Sequence, residues 1–197
     1  MPIKKTPAKT PAPTRRSPIA RSEGERRLIE AADTLIHHKP FSEVSLREIA
    51  LLADVNHRFV HAWFGSKNDL LHAVARQKFR VIAENVSKAE PGAPGIDFWD
   101  AEVRLAVRLI IWLDIEGFDT RGSLDNMPIV EALTQRFIEV EKIDPSIARE
   151  AATQAITIGL GAGTFGPILG IDDVSKILPI MKLWRHIVGL LAEHPPK

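Results

Sequence analysis

Between Ser45 and Leu71 the chain spells out its own helix boundaries, and that stretch limits the possible folds more than any other. Ser45 is followed three residues later by Glu48. In such a capping box the hydroxyl satisfies a free N–H of the first helical turn, and the carboxylate returns to the cap's own N–H. Val44 and Ile49 stand where a hydrophobic staple places them. Leu46, Ile49, Ala50 and Ala53 then recur at three- and four-residue steps, an inward stripe. Asp54-Val55 interrupts this helix, and Asn56 caps the next. The second helix is expected to bury Val60 and Phe64, leaving Asn56, His57, Arg58, His61 and Trp63 for other surfaces. Gly65 ends it, and Ser66 with Asp69 starts a third helix.

Two short helices around a tight turn, the second one polar and cationic, form the helix-turn-helix pattern, in which the second helix enters the DNA major groove. The stretch resembles the DNA-binding headpiece of TetR-family transcriptional regulators. The resemblance rests on Leu46-Arg47-Glu48-Ile49-Ala50, Val55-Asn56 and Phe64-Gly65-Ser66-Lys67-Asn68-Asp69-Leu70-Leu71, and it spans residues 25–74. Three positions depart from the family pattern. Asp54 stands where glycine is usual in the turn, Arg58 where a small residue is common, and His61 where tyrosine is common. These departures bear on turn geometry and base preference.

The resemblance implies that Ser45, Asn56, His57, Arg58, His61, Trp63 and Lys67 occupy DNA-contacting positions. Ser45 and Lys67 stand at helix N-termini, where hydroxyl, ammonium and backbone N–H groups meet phosphate. His61 and Trp63 are expected at the backbone as well, with core packing as the alternative for Trp63. Asn56 serves at least as a cap. His57 and Arg58 are expected at base edges, since arginine reads guanine through O6 and N7.

Charge follows the same division. Residues 1–72 carry 12 Lys and Arg against 8 Asp and Glu, whereas residues 73–197 carry 14 against 17. The basic end holds the helix-turn-helix, as contact with phosphates requires. The chain has no cysteine, which excludes disulfides and thiolate metal sites and is compatible with a reducing compartment. No apolar signal segment opens it, and the expected location is the cytoplasm.

The 197 residues suit one domain or two closely packed ones. Residues 1–21 hold six basic residues, five prolines and no acid, and are expected to form a disordered tail: an arm along the DNA backbone, or a solvated tail alone. Residues 22–72 are expected to form the DNA-binding domain. Residues 73–197 are expected to form a helical domain for ligand binding and dimerisation.

Ser22 with Glu25 predicts a capping box for the first helix, which Pro40 ends; His37 and His38 at its end read as cations near a helix C-terminus. A helix from Ser66 is expected to reach Lys88 before Glu90-Pro-Gly-Ala-Pro-Gly95 breaks it. Further helices are expected over Phe98–Glu116, from Asn126-Met-Pro128 through Val140, from Asp144-Pro145 onward, and after Asp172-Asp173, where Pro179 begins or kinks the last one. Gly117 and Gly122 bracket a turn. Without strand alternation the chain reads as all-α, with about nine helices.

Ala155 to Ile171 carries no charge, but with its glycines and Pro167 it is a poor membrane span. Gly161-Ala-Gly163-Thr-Phe-Gly166 matches a dinucleotide fingerprint formally, but lies in helical periodicity without a preceding strand. His57 and His61 have zinc-like spacing without a third ligand. No catalytic constellation, metal site or cofactor site is readable. Gly159 and Gly163, then Gly166 and Gly170, are four apart and permit close helix approach, in a helix-helix interface or in an intramolecular core. Family members dimerise through their last two long helices, so the resemblance implies an interface holding Gly159, Gly163, Leu183, Trp184, Ile187 and Leu191. It also implies an effector pocket among the central helices, for which Trp99, Trp112, Phe118 and Phe137 (with Phe98) are the aromatic candidates, with plain core packing as the alternative.

The expected function is a homodimeric regulator, a repressor, bound to a palindromic double-stranded DNA operator and released by a small apolar effector. Two alternatives stay open: a helical small-molecule binder or enzyme with a vestigial headpiece, and a nonspecific DNA binder driven by the basic tail.

Overall fold

A computed structural model of the chain describes residues 19–90, 95–120, 128–171 and 173–193, with side chains as far as residue 190. The expected tail to residue 18, the breaker at 91–94, Gly122, Asn126, Met127 and Asp172 lie outside the described residues, as does the Leu191 side chain. The described residues form eight α-helices and no strand, one helix fewer than expected. They are α1 (Arg21–Ile36), α2 (Leu46–Leu52), α3 (His57–Phe64), α4 (Lys67–Lys88), α5 (Ala101–Ile115), α6 (Pro128–Glu139), α7 (Pro145–Phe165) and α8 (Val174–Glu193). Short 3-10 turns occupy Phe41–Glu43 and Gly166–Leu169. None of these helices is long and apolar enough to cross a membrane.

The local signals place most boundaries. Ser45 and Ser66 both open helices with complete capping boxes, Asn56 caps α3, and Asp144 caps α7 with Pro145 in its first turn. Two boundaries differ from expectation. Helix α1 begins at Arg21 with Ala20 at the cap position, so Ser22 lies inside the helix, and Glu25 accepts from Arg21 Nε at 2.7 Å. An i,i+4 ion pair has taken the carboxylate that a capping box needs. Helix α5 begins at Ala101, because Asp100 accepts from the N–H groups of Glu102 and Val103; Phe98 and Trp99 therefore precede it. Pro179 lies inside α8, which has already begun at Val174.

Two apolar clusters hold the fold. The first joins α1, α2 and α3 to the N-terminal half of α4 through Leu28, Ile49, Val60, Leu70 and Leu71, all fully buried. Leu109 and Leu113 of α5 complete it. The second gathers Phe79 and Val86 of α4, Val107 of α5, Phe137 of α6 and Ile156 of α7. Helices α4 and α5 thus run through both clusters. At 22 residues, α4 spans roughly 33 Å.

Gly159 and Gly163 are used inside the chain. A Cβ on Gly159 would fall 2.1 Å from the Phe98 ring, and one on Gly163 would fall 2.9 Å from the Phe98 carbonyl oxygen. Their smallness admits the segment before α5, not a second helix. Trp184 is also turned inward, buried against Phe137 at 5.6 Å with its Nε1–H donating to Gln154 Oε1 at 3.3 Å. Leu183 and Ile187 remain exposed, as expected of an interface.

Candidate functional site

Helix α2 is anchored at its start. Ser45 Oγ accepts from Glu48 N–H at 3.3 Å, while Glu48 Oε2 accepts from Ser45 N–H at 3.1 Å and from its hydroxyl at 2.9 Å. The Lys39 ammonium, donating to Glu48 Oε1 at 2.6 Å, is the main reason this carboxyl is held down at about 2; the Ser45 bonds add to it. The cap is therefore ionised and intact at neutral pH.

The turn into α3 closes through Val55 N–H donating to Ala50 O at 3.0 Å, with Asp54 at φ 52°. A single aspartate tolerates this left-handed backbone better than most residues, so the turn forms without glycine. Asn56 Oδ1 then accepts from Arg58 N–H at 3.0 Å. Fully buried Val60 pins α3 to the headpiece core. At 100° per residue, Arg58 lies roughly 160° around the helix from Val60, so it points away from the core. His57, Arg58 and His61 are all exposed. His61 Nδ1 lies 3.0 Å from the Gly65 carbonyl, which can only accept, so Nδ1 carries the proton.

Two of the seven expected contact residues are turned inward. Trp63 is half-buried and stacks on Phe59 at 4.7 Å and 9°. Its ring lies over Gly24 of α1, where a Cβ would fall 2.4 Å from ring carbons. Trp63 thus fastens α3 to α1, the packing alternative. Lys67 Nζ donates to the carbonyls of Phe41 and Ser42, both at 3.1 Å, and lies 5.4 Å from the Trp112 ring centroid. Its ammonium ties α4 to the turn after α1 and to α5. Ser45, Asn56, His57, Arg58 and His61 remain exposed. Arg47, exposed in the first turn of α2, is a further cation that the sequence reading passed over; its position two residues beyond the Ser45 cap was the available signal.

The four aromatic pocket candidates separate into two pairs. Trp99 and Phe137 line one cavity of about 530 Å³, with Phe98, Leu133, Met181 and Trp184 among its walls. Trp112 sits edge-on to Phe41 at 5.7 Å, and Phe118 packs on His72 at 5.2 Å. Both belong to the headpiece cluster, because the end of α5 is buried there.

A charged network joins the two clusters. Lys78 of α4, buried, places Nζ 2.6 Å from Asp33 of α1 and 2.5 Å from Glu102 of α5. His37 reaches Glu102 with Nε2 at 2.7 Å and the Asp33 carbonyl with Nδ1 at 2.7 Å. Asp33, His37 and Glu102 have ligand-like proximity, but the Lys78 ammonium bridges the two carboxylates, which makes the cluster an ion-pair network. The four-residue spacing of Asp33 and His37 was a signal that went unused, and no spacing in the sequence could add Lys78 or Glu102.

Comparison with known proteins agrees with this geometry. Residues 28–74 match the family model described as bacterial regulatory proteins, tetR family. The chain is 26% identical over 174 residues to the HTH-type transcriptional repressor Rv3405c of Mycobacterium tuberculosis, covering 82% of this chain and 85% of the relative. It matches the HTH-type transcriptional regulator Mb3439c of Mycobacterium bovis to the same extent. Among solved structures it shares its fold with Salmonella enterica GusR, with a TM-score of 0.57 at 16% identity, covering 86% of this chain and 95% of that one. It also shares it with the TetR family repressor AlkX from Dietzia sp., with a TM-score of 0.50 at 19% identity, covering 86% and 94%. A capped, exposed second helix in a headpiece that matches the tetR family over residues 28–74, on an all-helical body of this fold, makes the chain a helix-turn-helix DNA-binding transcriptional regulator.

Proposed function

We propose that the chain is a homodimeric repressor that binds an inverted-repeat operator and leaves it when a small, largely apolar effector occupies the 530 Å³ cavity. Residues 22–72 act as the DNA-binding unit, residues 73–197 bind effector and dimerise, and the basic segment 1–21 follows the phosphate backbone. The protein works in the cytoplasm, on the chromosome. The observation that carries this reading is α3 itself, capped by Asn56 and pinned by Val60, with His57 and Arg58 bare on its outward side. The relative named as a repressor supports the sign of regulation.

Two copies of this headpiece, related by a two-fold axis, would read two half-sites about one helical turn of DNA apart. Effector release requires that the ligand bind the released state more tightly than the DNA-bound one. Helix α4, shared by both clusters, is the part that connects cavity to headpiece.

The test is selection of bound fragments from sheared genomic DNA with purified protein at physiological salt. A shared inverted repeat is the expected outcome. Enrichment without a motif, falling steeply with salt, would make the protein a nonspecific binder instead. No enrichment from ligand-stripped protein would leave the headpiece vestigial and overturn the proposal.

A further inference from the structure

The effector cavity is apolar on most of its wall but not on all of it. Arg136, Lys182 and Arg185 line it against two acids, Asp97 and Glu141. Glu141 is engaged by Arg185 at 3.4 Å, and Asp97 accepts the Trp99 N–H at 2.9 Å. The balance of the lining is cationic.

Arg136 is the unusual member. Its residue is 5% exposed, yet it carries a full charge on α6. Its Nη1 donates to the Ala89 carbonyl at 2.6 Å and its Nη2 to the Glu90 carbonyl at 2.9 Å. These carbonyls follow directly on the last turn of α4, which ends at Lys88. A helix C-terminus carries partial negative charge and unsatisfied carbonyls, so a guanidinium there is favourable. Arg136 therefore faces the cavity and holds the end of α4 at once. A planar guanidinium prefers a carboxylate, which accepts two parallel charge-assisted bonds, over neutral carbonyls.

We infer that the effector is an amphiphile with an apolar body and one carboxylate, and that the carboxylate docks on Arg136, drawing it away from the C-terminal end of α4. The inference deepens the effector reading proposed above and rests on it. The body packs against Phe98, Trp99, Phe137 and Trp184, and Lys182 adds charge at the cavity wall. Loss of the Ala89 and Glu90 bonds removes one tie on this end of α4, whose other end carries Leu70, Leu71 and Val74 in the headpiece core. Effector charge is thus read by the same side chain that sets the lever.

The experiment titrates full-length protein with dodecanoate, dodecanol and dodecyltrimethylammonium, each below its micelle concentration. Tryptophan fluorescence reports binding, since Trp99 and Trp184 line the cavity. Dodecanoate is expected to bind about tenfold more tightly than dodecanol, one charge-assisted contact's worth, and the cation more weakly than either. Lys182→Gln, at an exposed position, should lower the preference for acid over alcohol with the fold unaffected. Arg136→Gln should remove most of the preference, more than Lys182→Gln does. Should that variant fail to fold, Arg136→Lys keeps the charge without the fork, and is expected to retain part of the preference. Equal binding of acid and alcohol, preference for the cation, or a preference indifferent to the Arg136 variants would overturn the inference. The genomic selection separates the two failures. A motif with no acid preference sinks only the effector class, and acid preference with no motif sinks only the regulator.

Discussion

His37 and Glu102 stand 65 positions apart in the chain and 2.7 Å apart in space, Nε2 to Oε1. The other ring nitrogen of His37 faces the Asp33 carbonyl at 2.7 Å. Both partners are oxygens that can only accept, Glu102 being ionised, so both ring nitrogens donate and His37 is an imidazolium here. That cation closes a contact between α1 of the headpiece and α5 of the body.

The contact gives a pH dependence with a definite sign. The Glu102 bond, then the Asp33 carbonyl, raise His37 above its ordinary 6.5, against desolvation and the nearby Lys78 charge. A raised cation contributes stability that is complete below pH 6.5 and is lost as pH climbs through the folded value. Lys78, then His37, lower Glu102 below its ordinary 4.5, so its contribution is complete above 4.5 and is lost as pH falls through the folded value. The clasp is therefore whole between those two ordinary values. His72, pushed down by burial and then by Arg76, works the other way from His37. Comparing wild type with His37→Gln isolates the clasp from it. The stability gap in urea should be largest near pH 5.5 and should shrink towards pH 9, with a size of at most about 1 kcal/mol because both side chains are partly exposed. A gap constant with pH would show that His37 is neutral in the fold.

Arg58 is expected to discriminate bases. Arg58→Ala should cost about 1–3 kcal/mol on the selected operator and relax the choice at one position of each half-site. Competition binding against single-base variants reads this directly. A loss equal on all sequences would move Arg58 to the phosphate backbone.

Lys67 distinguishes a structural cation from a DNA contact. Its ammonium is committed to the Phe41 and Ser42 carbonyls. Lys67→Met should lower the thermal midpoint and weaken DNA binding without changing its salt dependence. Were the ammonium a phosphate contact, the slope of log K against log salt would fall by about 0.9. Salt titrations of both proteins on one operator decide between them.

Gly24→Ala tests Trp63. Alanine favours an ordinary helix interior by up to about 1 kcal/mol over glycine. Here the new methyl would fall 2.4 Å from the Trp63 ring, and overpacking of this kind costs about 1–3 kcal/mol. The variant should be less stable than wild type, and Trp63→Leu should relieve it. A stabilised Gly24→Ala would mean that Trp63 is free to move, restoring it as a DNA contact.

What was legible in the sequence was local. The boxes at Ser45 and Ser66, the Asn56 cap and Asp144-Pro145 depend on residues three or fewer positions apart, and all four stand. Ser22 misled because Arg21 competes for the same Glu25 carboxylate. The inward turns of Trp63, Lys67 and Trp112 depend on partners from α1, the turn after it, and α5. Periodicity identifies a residue as half-buried but not which neighbour buries it. Gly159 and Gly163 read as places where a second helix comes close, whereas the group that approaches them inside the chain is Phe98, some sixty residues earlier.

The surface proposed for dimerisation follows from what the body leaves uncovered. Along α8, Ile180, Leu183, Ile187 and Leu190 are exposed by 39%, 61%, 46% and 47%, while Trp184 and Val188 between them are buried. The exposed set recurs at steps of three, four and three residues, the spacing of a seam between two helices. Phe165, Ile168 and Leu169 add exposed apolar surface at the end of α7. An apolar face of this extent is expected to be covered by a second copy. Leu183→Glu with Ile187→Glu should yield a monomer by light scattering, with the helical signal retained because neither side chain belongs to the core. The monomer should bind an isolated half-site with ordinary headpiece affinity and lose the advantage of the full inverted repeat. A double variant that remains dimeric, or one that binds the full repeat as wild type does, would place the interface elsewhere.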